Sequence, residues 1–158
     1  MSAPGSSAQR GGTASDRGPV QHVVFLVDTT RYALPLSAVS QVVVQPGGLV
    51  RVPRAPTPVL GVVNLRGRVV TVVDFSLLLD LPAPQQLQRK LILLERGRRD
   101  LALSVTDVEG FETVDKVSPQ PRESRAPVRG VTRVKGAAVT VLDADALDVA
   151  VTRLFDRG

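Results

Sequence analysis

The sequence has no cysteine and no tryptophan, and its single histidine is His22. The missing cysteine excludes disulfides, thiolate metal sites and thiol nucleophiles, and suits a reducing compartment. Metal sites need several His, Cys or carboxylate ligands at fixed spacing, and no such cluster occurs. Aromatic residues are only 3% of the chain, so valine and leucine must build the core. Neither G-x-x-x-x-G-K-[S/T] nor G-x-G-x-x-G is present, which removes the common phosphate-binding loops. No apolar run reaches the roughly 18 residues that span a bilayer, and the first residues lack a signal peptide's apolar segment. The expectation is a cytoplasmic protein with no catalytic residues, no metal and no cofactor.

What is present is a basic, valine-rich chain of 158 residues. Hydrophobic residues make up 43% and charged residues 22%, a globular composition. The net charge is +5, and 17 of the 20 cationic residues are arginine. A basic surface draws anionic partners without naming one.

The chain also repeats itself. Residues 60–74 (LGVVNLRGRVVTVVD) align without a gap to residues 129–143 (RGVTRVKGAAVTVLD) at an offset of 69, with 7 of 15 positions identical. Setting aside the valines, the pairs Gly61/Gly130, Gly67/Gly136, Thr71/Thr140 and Asp74/Asp143 remain. The same offset places Tyr32-Ala33-Leu34 over Leu101-Ala102-Leu103. One unit of about 55 residues therefore occurs twice, and an internal repeat constrains the architecture before any other feature does. A unit this small buries too little surface to stand alone, so the copies must support each other.

Residues 1–19 are rich in Ser, Gly, Ala and Pro and read as a disordered tail. The domain is expected over 20–155, with subdomain 1 at about 22–81, a linker at 82–88 and subdomain 2 at about 89–155. Strands are expected at Val23–Val27, Tyr32–Leu36, Val42–Val44, Leu49–Val52, Val59–Leu65 and Val69–Val73 in the first copy. In the second they fall at Leu91–Leu94, Leu101–Val105, Val108–Val114, Val128–Val134 and Ala137–Leu142. Ser37 is a candidate cap for a short helical turn. Gly67 suits the positive φ of a tight hairpin. Residues 115–127 read as a polar loop. Residues 144–155 form a helix whose Leu147, Val151, Leu154 and Phe155 share one face. Many short strands with Gly/Pro turns predict a mainly β fold of two small five-stranded barrels, one per repeat, with a C-terminal helix.

Two features invite a chemical reading. Asp74 and Asp143 resemble a carboxylate pair, but each ends a strand before a helical turn, where capping accounts for it. A basic barrel binding single-stranded nucleic acid needs an aromatic stacking platform. Here Phe25 and Phe111 fall in apolar strand patterns and Phe155 on the apolar helix face, so the platform is missing.

The segment Gly61-Val62-Val63-Asn64-Leu65-Arg66-Gly67-Arg68 through Asp74 strongly resembles the signature of CheW-like proteins, the coupling adaptors of bacterial chemosensory systems. Phe25 with Tyr32-Ala33-Leu34-Pro35-Leu36 is similar to the family's opening hairpin. Val39-Ser40-Gln41-Val42 stands at its V-x-E-V/I motif, and Pro53 and Pro56 at its approach to the signature. Pro119-Gln120-Pro121 resembles its P-x-P loop, and Gly130 through Asp143 its closing segment. The resemblance covers about 22–150.

It implies two SH3-like barrels and a non-enzymatic adaptor that joins a chemoreceptor's cytoplasmic tip to the regulatory domain of a histidine kinase, at membrane-associated receptor clusters. Receptor-binding positions carried over are Val39, Gln41 and Arg66. Asn64 joins them because it is a place where the two copies differ, facing Arg133. Pro119, Pro121, Arg122 and Glu123 fall at the kinase or array contact. The chain departs from the family at Gln41, where Glu is usual, at Ser104-Val105-Thr106, where V-V-D is usual, and at Arg122-Glu123, where an apolar residue is common. A related module that binds receptor but not kinase is the first alternative reading. A basic barrel for single-stranded nucleic acid is the second.

Overall fold

The computed structural model describes residues 18–95, 100–119 and 127–156. Nearly all of the expected tail, the turn at 96–99, and Pro121, Arg122 and Glu123 lie outside the described residues. The strands are β1 Val20–Val27, β2 Thr30–Pro35, β3 Val39–Val44, β4 Val59–Leu65, β5 Arg68–Asp74, β6 Lys90–Leu94, β7 Leu101–Val105, β8 Asp107–Val114, β9 Ser118–Pro119, β10 Val128–Val134 and β11 Ala137–Leu142. Two helices follow strand ends, α1 Phe75–Leu78 and α2 Ala144–Asp156.

The strands form two sheets. Sheet A runs β8-β1-β2-β11-β10-β9 and sheet B runs β3-β6-β7-β5-β4. Shifting sheet B by 69 residues turns its order into β8-β1-β2-β11-β10, which is sheet A without β9. The mainly β architecture of two SH3-like subdomains and a terminal helix is as expected. The reading of one barrel per repeat needs correction. Each sheet takes its β-hairpin from one copy and its other main strands from the other copy. The exchange is made by two parallel pairings, Thr140 beside Tyr32 and Thr71 beside Leu101, and by the antiparallel pairings of β1 with β8 and β3 with β6. The repeat changes over at 82–88, but the sheets do not divide there. That segment is tied back to the β1–β2 turn, where Asp28 Oδ1 accepts hydrogen bonds from the backbone N–H groups of Gln85 (2.8 Å) and Gln86 (2.9 Å).

Strand alternation sends side chains to both faces of each sheet. One face of sheet A closes over Val24, Ala33, Val114, Val117, Val139 and Val141. One face of sheet B closes over Val63, Val70, Val72, Leu91, Leu93 and Ala102. The remaining faces meet in a shared core of 15 buried residues, including Phe25, Tyr32, Leu34, Phe75, Ile92 and Leu103. Helix α2 adds Leu147 and Val151, with Leu154 and Phe155 packed at the margin, as its spacing predicts. Fully burying each such side chain is worth roughly 1.5–3 kcal/mol. The shared core exceeds either barrel core, so the sheets depend on each other.

Both aspartates are caps. Asp74 Oδ1 accepts from the Leu77 N–H at 3.2 Å and Asp143 Oδ1 from the Ala146 N–H at 3.0 Å. Their own N–H groups donate to the Pro58 and Pro127 carbonyls, each at 2.8 Å.

Four local expectations are corrected. Leu49–Val52 forms only a single bridge, Val50 to Val62. The polar loop contains β9, paired with Gly130 and Val131. Ser37 lies inside a 3-10 turn at Leu36–Ala38 whose start has no side-chain cap. Phe111 is 60% exposed, not core. It sits on edge strand β8, whose side chains alternate between half-buried and exposed, so an apolar pattern there does not guarantee a neighbour.

Candidate functional site

The β4–β5 hairpin turns through Arg66-Gly67, with φ of 54° and 86°. Two positive φ values in a two-residue loop are the geometry that suits the right-handed twist of paired strands. Glycine adopts this freely, whereas arginine does so at a cost. Asn64 braces the turn, its Oδ1 accepting the Gly67 N–H at 2.8 Å. Arg66 is thereby held at the tip, exposed and without an acidic partner among the described residues. The turn also presents Val69, which is 62% exposed beside Asn64.

Val39 and Gln41 lie on β3, the opposite end strand of the same sheet. Val39 pairs with Leu94 and packs on the shared core. A bulge then inserts Ser40, and Gln41 faces Leu93 while remaining exposed. A bulge re-aims side chains at a sheet edge. Strand pairing does not join β3 to the hairpin. Val43 of β3 and Leu65 of β4 nonetheless pack on the same sheet B core. The four positions therefore fall into two pairs on one subdomain, Val39 with Gln41 and Asn64 with Arg66.

Two further arginines, which no motif in the sequence marks, stand on the loop before β4. Arg51 and Arg54 are exposed and, like Arg66, have no acidic partner among the described residues. Their position in a proline-bearing loop that returns to pair with Val62 was the available signal. Sheet A differs electrostatically. Its edge strand β8 supplies Asp107, Glu109 and Glu112, which bind Lys90 (2.9 Å), Arg31 (2.8 Å) and Lys135 (3.2 Å). The hydrogen bond from Lys90, helped by the Val108 N–H, holds the Asp107 carboxyl below the usual carboxylate range. Pro119 is exposed on β9, paired with Gly130.

The aromatic residues Phe25, Tyr32 and Phe75 contact one another with ring centroids 4.9–5.8 Å apart inside the shared core. They are unavailable for stacking on bases. Among the described residues no three potential metal ligands cluster. A cavity of about 300 Å³ between β8 and the β10–β11 hairpin has four charged residues at its rim, joined as the Arg31–Glu109 and Lys135–Glu112 ion pairs. Among the described residues the arrangement offers surfaces for contact.

The model of the CheW-like domain family matches residues 21–150. A chemotaxis protein CheW of Rhizobium meliloti (strain 1021) is 33% identical over 102 residues, covering 60% of this chain and 66% of that protein. A chemotaxis protein CheW of Helicobacter pylori (strain ATCC 700392 / 26695) is 34% identical over 83 residues, covering 52% of this chain and 50% of that protein. The chain thus spans about half to two thirds of these relatives. The crystal structure of the scaffolding protein TtCheW from Thermoanaerobacter tengcongensis shares the fold, with a TM-score of 0.69 at 22% identity, covering 78% of this chain and 88% of that one. With the family match running from β1 into α2, through the braced Arg66-Gly67 hairpin, the chain belongs to the CheW-like domain family.

Proposed function

We propose that the protein is a non-enzymatic chemosensory adaptor, coupling the cytoplasmic tip of a chemoreceptor to the regulatory domain of a histidine kinase. It would work in the cytoplasm, at membrane-associated receptor clusters. The observation that carries this reading is the family match over 21–150, supported by relatives named as chemotaxis proteins and by a structural neighbour named as a scaffolding protein.

The receptor face in this proposal is Val39, Gln41, Asn64 and Arg66. A half-buried valine beside exposed polar groups suits one side of a helix. Arg66 supplies a planar fork of donors for a carboxylate or for backbone carbonyls. Arg51 and Arg54 add positive charge to the same subdomain and would speed encounter with an acidic partner. The kinase or array face is assigned to Pro119, Pro121, Arg122 and Glu123.

The test is co-purification of the full chain with a receptor signalling tip and with a kinase regulatory domain. Binding to both supports the adaptor. Binding to the receptor alone supports the modulator alternative. Folded protein that binds neither overturns the proposal.

A further inference from the structure

The two barrel cores occupy equivalent places but are not equally apolar. Sheet B has Leu91 in its core, fully buried, with Leu60 packed against it. The positions 69 residues away in sheet A are His22 and Arg129. His22 is fully buried and shares a face of β1 with core residue Val24. Its Nδ1 lies 2.9 Å from the Val20 carbonyl, so the neutral ring donates there. Its Nε2 is buried and has no hydrogen-bond partner. Other exchanges also thin sheet A, since Val24 replaces Leu93, Val134 replaces Leu65 and Thr132 replaces Val63.

A second proton would put an unpaired N–H and a positive charge into this core. The charged groups around it do not compensate. Arg129, on β10, repels the charge. Glu112, opposite on β8, is engaged with Lys135 at 3.2 Å. The opposite position on β2 is Pro35, which carries no charge. We propose that His22 is an acid-sensitive element built into sheet A, whose protonation loosens β1, β8 and β10 while the leucine-filled core of sheet B is unaffected.

Burial holds the imidazole below the usual histidine range; the Val20 hydrogen bond opposes this and Arg129 adds to it. The unfolded chain takes up its proton near pH 6.5. Between that pH and the lower native value, the unfolded state binds more protons. Stability therefore rises with pH through this window and is lost as pH falls below about 6.5.

The test is denaturant unfolding of the full chain at pH 7.5 and 5.5, together with NMR titration of the imidazole, which is unambiguous because there is one histidine. The unfolding constant should be roughly tenfold larger at pH 5.5, if the native ring stays neutral. His22→Leu, which copies Leu91, should abolish most of that difference. Hydrogen exchange, corrected for intrinsic rates, should accelerate at pH 5.5 in β1, β8 and β10 ahead of β3, β4 and β6. An imidazole that titrates at or above about 6.5 in the folded protein overturns the proposal, as does a His22→Leu protein that keeps the full pH difference. If His22→Leu does not fold, the wild-type titration decides alone.

Discussion

Gly61 and Gly130 do the same work 69 residues apart. A Cβ on Gly61 would lie 2.8 Å from the Val50 carbonyl carbon, and one on Gly130 would lie 2.8 Å from that of Ser118, with each carbonyl oxygen closer still. Each glycine sits at the bulge of its hairpin, letting a preceding segment cross against the barrel strand. Backbone cannot move aside as a side chain can, so Gly61→Ala and Gly130→Ala should each cost more than about 2 kcal/mol. Gly67→Ala, with open space around it, should cost only about 1 kcal/mol for its positive φ. Chemical denaturation of the three variants checks the ranking.

Removing either cap should cost a similar, smaller amount. Asp74→Ala and Asp143→Ala each lose the acceptor for one helix-start N–H, worth about 1 kcal/mol. Asn at either position should recover much of it. A loss several times larger at one site only would mean that the two caps are not equivalent.

Arg66 and Asn64 separate under mutation. Arg66→Gly relieves a positive φ of 54°, so stability should hold or rise, within about 1 kcal/mol. Receptor-tip affinity should fall. Asn64→Ala removes the brace on Gly67 and should cost about 1 kcal/mol, so a binding loss there is partly conformational. Calorimetric melting alongside receptor titration distinguishes the two. A collapse of stability in Arg66→Gly would assign that residue to the fold.

The exchanged hairpins predict what happens to halves of the chain. Residues 1–88 alone keep β1–β2 without the partners β8 and β11, and β3 without β6. Neither 1–88 nor 89–158 should fold alone, as read by amide dispersion. Mixed together, they should restore the native spectrum. Independent folding of either half would contradict the strand order.

The linker tie is testable at Thr106. Its Oγ1 accepts the Asp28 N–H at 2.8 Å, and Asp28 in turn holds Gln85 and Gln86. Thr106→Val keeps the volume and leaves that N–H unpaired, for about 1–2 kcal/mol. Thr106→Ser should lose less. A larger loss in Thr106→Ser than in Thr106→Val would show that the methyl, not the hydroxyl, matters.

Much of this molecule is determined locally. The valine- and leucine-rich runs Val59–Leu65, Leu101–Val105 and Val128–Val134, bounded by turn residues, mark strands. Spacing along α2 marks its buried face, Asp before a helical turn marks a cap, and the Arg66-Gly67 signature marks both a hairpin and a family. Which strand lies beside which is settled only in the folded chain. Periodicity says that a face is buried, not against what. The pairing of Tyr32 with Thr140 and Leu101 with Thr71, which exchanges the hairpins, leaves no local trace. The same reason exposes Phe111 and buries His22. β8 ends a sheet, while β1 lies between two strands.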